Sequence, residues 1–248
     1  MRRVLSNKNV VIFSVFVAGL CSLVYELLIS TTASYFLGDS VQQFSITIGL
    51  YLASMGLGSY ISRFIKTKLL RSFVVVEILL GLIGGLAVPL LYLAYAYGTV
   101  FWPVVVGLIM VIGALTGLEI PLLTRIMDGE ESLDVNLANI LSFDYLGALL
   151  ATLAFPFVLL PVLGTFRASL TLGLFNLVVG LVNLWWFADR LERRSQWQGY
   201  ALSAGTAVLL GGLLAASGPI MDRWSNDVYE DRVVYREQTP YQKIVMTR

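Results

Sequence analysis

Four carboxylates stand inside long apolar runs: Glu26 in LVYELLIS, Glu77 in VVVEILL, Glu119 in TGLEIPLL and Asp144 in LSFDYLGALL. A charged group at the centre of a membrane helix costs about 3 kcal/mol on insertion scales, so each acid needs a partner or a task. Two chemistries fit these residue types. In the first, the acids are protonated or hydrogen-bonded groups that fix helix register; in the second, they form a cation or proton site in a bundle interior. Tyr25 and Tyr145 each adjoin an acid and would add cation–π contacts for an amine. Pro121, two residues after Glu119, frees a backbone carbonyl near that acid.

The helical repeat indicates where the acids point. Glu77 shares a face with Gly81 and Gly84, Asp144 with Gly147, Ala148 and Ala151, and Glu26 with Gly19, Ser22 and Ser30. Small and polar stripes of this kind pack against neighbouring helices rather than lipid. At ~1.5 Å rise per residue, counting from the nearest charged loops, Glu77, Glu119 and Asp144 fall at a common depth of ~10 Å. Glu26 falls near the opposite face, where Gln42, Gln43 and Ser45 begin the next run and are expected to hydrogen-bond to it.

Other chemistries are excluded by composition. The 248 residues contain no histidine, which removes the usual general base, the common catalytic triads and most transition-metal sites. Cys21 is the single cysteine and lies in an apolar run, so neither a disulfide framework nor a cysteine metal site is expected. A net charge of +1 supplies no basic stripe for nucleic acid. No phosphate-cradling glycine loop or nucleophile elbow occurs, and no cofactor is expected.

The elements that must hold the acids follow from hydropathy. With 57% hydrophobic and 13% charged residues, the chain reads as integral membrane protein whose main partner is the lipid bilayer. Runs long enough to cross hydrocarbon number seven: Val10–Ser30, Val41–Ile61, Ser72–Tyr97, Thr99–Leu123, Leu137–Gly164, Ala168–Ala188 and Gly199–Ser217. The first is read as a retained helix rather than a signal peptide, because it is long, carries Glu26 and lacks a small-x-small cleavage site. Pro156 and Pro161 predict a kink in the fifth.

Small-residue pairs at four-residue spacing, Gly81/Gly85 and Gly113/Gly117, allow close helix approach in lipid. No internal repeat is visible. The segments bearing Arg2, Arg3, Lys8, Arg63, Lys66, Lys68, Arg71, Arg125, Arg190, Arg193 and Arg194 hold eleven cations, whereas the opposite set holds only Arg167 before the tail. This bias predicts a cell inner-membrane protein with a cytoplasmic N-terminus and a C-terminal tail on the outer side. Sequence leaves the oligomeric state open.

The expected architecture is therefore all-α: a seven-helix transmembrane bundle over residues 1–217, followed at 218–248 by a linker and a short β-hairpin. The hairpin is read from RVVYREQTPYQKIVMTR, two Val-, Tyr- and Ile-rich runs around the turn signal QTP. A hairpin alone is marginal in water, so it reads as the opening of a larger domain.

These segments resemble a known family. TPYQKIVMTR is similar to the first hairpin of the spermidine synthases, the polyamine aminopropyltransferases. CSLVYELL, SYFLGDSVQQFS, GLYLASMGLGSY, GLEIPLLTR and SFDYLGALLATLAFPFVLLPVLG resemble the membrane domain of that family's bacterial membrane-bound members. The resemblance implies a native protein with a Rossmann-like catalytic domain after the hairpin, transferring an aminopropyl group from decarboxylated S-adenosylmethionine to putrescine. It implies further that Gln242 contacts the nucleoside. The catalytic aspartate, the glycine-rich turn and the acidic ribose ligand of the family would lie beyond Arg248, and none is carried onto this chain. The alternative function is a polyamine or cation transport module that uses the intramembrane carboxylates. The family's nucleoside substrate is cytosolic, while the charge bias places Gln242 on the outer side.

Overall fold

The computed structural model describes residues 2–127, 132–228, 233–238 and 243–248. Its helices are α1 (Arg2–Leu37), α2 (Ser40–Ser62), α3 (Leu69–Ala96), α4 (Phe101–Ile126), α5 (Leu133–Ala154), α6 (Leu160–Trp186), α7 (Arg193–Ala215) and α8 (Ser217–Val228), followed by strands β1 (Val233–Gln238) and β2 (Lys243–Thr247). Among the described residues, six helices are long and apolar enough to cross a membrane. The sequence expectation was seven runs, and the difference lies in one element. Leu133–Trp186 forms a 54-residue helical stretch, which if straight would measure about 80 Å against a hydrocarbon core of about 30 Å.

That stretch is interrupted twice. Leu160 N–H reaches back five residues to Phe155 O, closing a π-helical turn over Phe155–Leu159 that contains Pro156. Such turns mark bends in helices. Gly164 then adopts φ 65°, ψ 176°, a backbone conformation open in practice to glycine alone. The helix breaks there, inside α6, so that residues 133–163 and 165–186 are separate rods.

Side-chain pairs define two ends of the bundle. At the N-terminal end, Trp186 Nε1 donates to Asn7 Oδ1 at 2.9 Å, Lys68 pairs with Glu192 at 2.9 Å, and Arg71 Nη2 donates to Gln198 Oε1 at 3.1 Å. The Lys68 hydrogen bond holds the exposed Glu192 carboxyl below the usual carboxylate range. Arg125 closes α4 at this end by donating to Pro121 O, Ile65 O and Ser62 O at 3.0, 2.8 and 2.9 Å. A cation fits the exposed carbonyls at helix C-termini.

At the other end, Phe36, Tyr92, Tyr95, Phe101, Phe166 and Trp224 form one aromatic cluster. There Arg167 Nε donates to Ser217 Oγ at 2.9 Å. The successive rods therefore alternate in direction from α1 to α7.

Helix α3 is central, packed chiefly against α6 and α4, because its small residues admit neighbouring backbones. Gly81 lies against Gly173 O, with only 2.8 Å left for a Cβ. On the opposite flank, α2 meets α4 where Gly117 faces the Met55 carbonyl and Gly58 faces the Ala114 carbonyl.

Pro89 in α3 cannot donate to Gly85 O. Ser169 of α6 replaces that donor, with its hydroxyl 3.0 Å from Gly85 O and 2.8 Å from Gly84 O.

The segment expected to be a linker is partly helical. In α8, Trp224 is 9% exposed and donates from Nε1 to Tyr92 O at 2.9 Å, fastening the helix to the far end of the bundle. The expected hairpin is present: β1 and β2 pair antiparallel, Gln238 with Lys243 and Val233 with Thr247, with an irregularity between Val233 and Tyr235. A Rossmann-like domain does not form part of the described structure.

Candidate functional site

Two of the four acids meet. Glu77 on α3 and Glu119 on α4 are 0% and 4% exposed, and their carboxyl groups adjoin one another. On the other side of Glu77, Asn176 of α6 donates from Nδ2 to Oε2 at 2.9 Å. The remaining oxygens, Glu77 Oε1, Glu119 Oε1 and Asn176 Oδ1, accept no hydrogen bond. Three helices thus contribute polar groups to one buried position.

Buried hydroxyls lie in the same region of the bundle. Tyr25 is 1% exposed, and its ring packs on Gly84, seven residues along the same face of α3 from Glu77. Its hydroxyl lies within electrostatic reach of Glu77 and Glu119 and has no hydrogen-bond partner. Tyr51 Oη bridges Ser22 O and Thr116 Oγ1, both at 3.1 Å, and so ties α1, α2 and α4 together next to the acids. Cys21, buried on α1, is also within electrostatic reach of the pair.

The other two acids stand apart. Asp144 packs against Gly19 of α1, at 2.5 Å from the position a Cβ would take, and is close enough to Glu119 to act on it electrostatically. Glu26 lies two turns beyond Gly19, and the titratable group it influences is Tyr51. The hydrogen bonds expected from the start of α2 to Glu26 are not formed among the described residues. Ser45 Oγ turns back to Val41 O at 2.7 Å, and the Gln42 backbone N–H is capped by Asp39 Oδ1 at 3.1 Å. The Ser45 hydroxyl is thus used within its own helix, and Asp39 caps the helix start.

Tyr145 also departs from expectation. It is 65% exposed and projects away from the bundle, so it offers no cation–π face to the acids. Gln242 lies outside the described residues.

Asn176, Tyr51, Thr116 and Ser169 were not singled out by sequence. Asn176 carried a usable signal: it is an amide in the apolar run TLGLFNLVVG, on one helical stripe with Ser169, Gly173 and Gly180. Tyr51 and Thr116 carried none, because isolated Tyr and Thr residues are common in apolar helices.

Fold and site together define a class, a mainly helical bundle with six helices long and apolar enough to cross a membrane and a carboxyl pair buried between α3, α4 and α6. Within that class, sequence comparison places the chain more narrowly. It is 37% identical over 235 residues to a polyamine aminopropyltransferase of Leptospira interrogans, covering 95% of this chain and 47% of the relative. It is 39% identical over 244 residues to polyamine aminopropyltransferase 2 of Ralstonia nicotianae, covering 96% of this chain and 48% of the relative. Against polyamine aminopropyltransferase 2 of Aquifex aeolicus it is 36% identical over 240 residues, covering 94% and 46% respectively. The chain belongs to the polyamine aminopropyltransferase family and spans about half the length of these curated relatives. No protein-family model and no solved structure matches it.

Proposed function

We propose that this chain is the membrane module of a spermidine synthase-like protein, whose whole length transfers an aminopropyl group from decarboxylated S-adenosylmethionine to putrescine. The observation that carries the reading is the identity to proteins named polyamine aminopropyltransferase over nearly the whole of this chain but only half of theirs. The module crosses the bilayer seven times, with the Leu133–Trp186 stretch counted as two crossings because Gly164 divides it. Arg63, Lys68, Arg71, Arg125 and the cations around Arg193 lie toward the N-terminal end of the bundle, which supports a cytoplasmic position for that end. Helix α8 and the hairpin then leave from the outer end, and Gln242 is a nucleoside ligand on the attached domain.

The test uses the full-length native protein in two preparations, right-side-out spheroplasts and inside-out vesicles, each supplied with decarboxylated S-adenosylmethionine and putrescine. Methylthioadenosine is expected from spheroplasts. Release only from inside-out vesicles would overturn the assigned side, and no release from either preparation or from detergent-solubilised protein would overturn the transferase reading. A second function, movement of a polyamine or other cation through the bundle, is supported by the meeting of Glu77 and Glu119 where no Lys or Arg pairs with them among the described residues.

A further inference from the structure

The orphaned atoms around Glu77 have a common chemistry. Glu77 Oε1, Glu119 Oε1 and Asn176 Oδ1 are acceptors, all on residues no more than 4% exposed, and all without donors. Tyr25 Oη, on α1, is a fourth unpartnered polar atom within electrostatic reach of the acids, its ring seated on Gly84. Buried polar groups are ordinarily satisfied, and each one left bare costs about 1–3 kcal/mol. An acceptor-rich set of this kind calls for a ligand made of donors.

Charge points the same way. No Lys or Arg side chain pairs with the two carboxyls among the described residues. The titratable groups within electrostatic reach of them are Cys21 and Tyr25 from α1, Tyr51 from α2 and Asp144 from α5, none of which supplies a positive charge. The α6 group that touches the pair is the neutral Asn176. The nearest arginine along α4, Arg125, is committed to three backbone carbonyls at the helix end.

We propose that Glu77, Glu119 and Asn176 form a binding site for an ammonium group, either ammonium itself or the protonated end of a primary amine, lodged between α3, α4 and α6. An –NH3+ group has three donors and no acceptor, which matches the three orphaned acceptors, and its charge matches a carboxyl pair that has given up one proton. A second proton on the carboxyl pair would neutralise the same charge, so the site holds a proton or an ammonium but not both. The proposal rests on the cation-module reading for its biological use, although binding does not require flux and does not depend on the transferase.

The purified protein in lipid nanodiscs tests this with methylammonium as the probe. Dicyclohexylcarbodiimide modifies carboxyl groups in apolar surroundings, and peptide mass spectrometry locates the adduct. Labelling of Glu77 or Glu119 is expected, falling at least fivefold with methylammonium and unchanged with tetramethylammonium, which has the charge but no N–H donor. Protection should weaken tenfold for each unit of pH once the second proton competes. Equal protection by tetramethylammonium or sodium, or no protection by methylammonium, would overturn the assignment. In E119Q the amide supplies its own donor, so direct methylammonium binding by scintillation proximity should vanish while E26Q retains it. The wild-type protection result stands as a test even if E119Q fails to fold. Binding without methylammonium flux into proteoliposomes would keep the site and remove the transport reading.

Discussion

Replacing Ser169 by Ala tests the register on which the buried site depends. Ser169 meets Gly84 and Gly85 two helical turns from the contact between Asn176 and Glu77, on the same α3/α6 seam, so one alignment sets both. The hydroxyl has a single proton shared between two carbonyls, which counts as about one interhelical hydrogen bond, worth ~0.6–1.7 kcal/mol in membrane proteins. Gly85 O has no other intrahelical donor because residue 89 is proline, so its loss adds part of the ~1–3 kcal/mol cost of a bare buried acceptor. S169A should therefore destabilise by about 2 kcal/mol. In a P89A background the backbone N–H restored at position 89 closes onto Gly85 O, and S169A should cost only about 0.5 kcal/mol. Reversible unfolding in mixed micelles measures all four members of the cycle. The expected coupling, about 1.5 kcal/mol, is a roughly tenfold change in the unfolding constant. A coupling below about 0.3 kcal/mol would refute the claim that Ser169 stands in for the donor lost at Pro89.

Two further outcomes follow from packing. G117L should force α4 away from the Met55 carbonyl and cost at least the ~1–3 kcal/mol of ordinary overpacking, whereas G107L, at a position with open space around it, should be tolerated; equal effects in the same unfolding assay would contradict the α2/α4 interface. W224A removes the indole that α8 buries among Phe36, Tyr92 and Tyr95 and should cost ~3–5 kcal/mol of docking, read as faster amide exchange across α8. W224F should lose about 1 kcal/mol for the missing N–H bond to Tyr92 O, and unchanged exchange in W224A would show that α8 is held by other means.

Much of the architecture was legible from composition and run length. Hydrocarbon thickness imposes a minimum helix length, and the boundary read between the fifth and sixth runs, at Gly164, is where the backbone breaks. Val, Tyr and Ile around QTP were enough to indicate the hairpin, since alternation with a turn signal has few other solutions. Helix α8 was missed because its polar residues lower its hydropathy; the contact that gives it a place, Trp224 on Tyr92, joins residues 132 positions apart. The six-residue distances from Glu77 and Glu119 to their charged loops placed them at one depth. Depth is a one-dimensional quantity, and it gave Asp144 the same value although Asp144 sits beside α1.

Which residues occur, and how far each lies along its helix, were properties of the sequence alone. Which faces turn toward one another was decided only by packing. The small residues of α3, α4 and α6 let three backbones approach, and their register brought Glu77 to Glu119 and Asn176, left Tyr145 outside, and left Glu26 to Tyr51. Helix rotation in a bundle is set by long-range steric fit, and the local pattern of residues does not encode it.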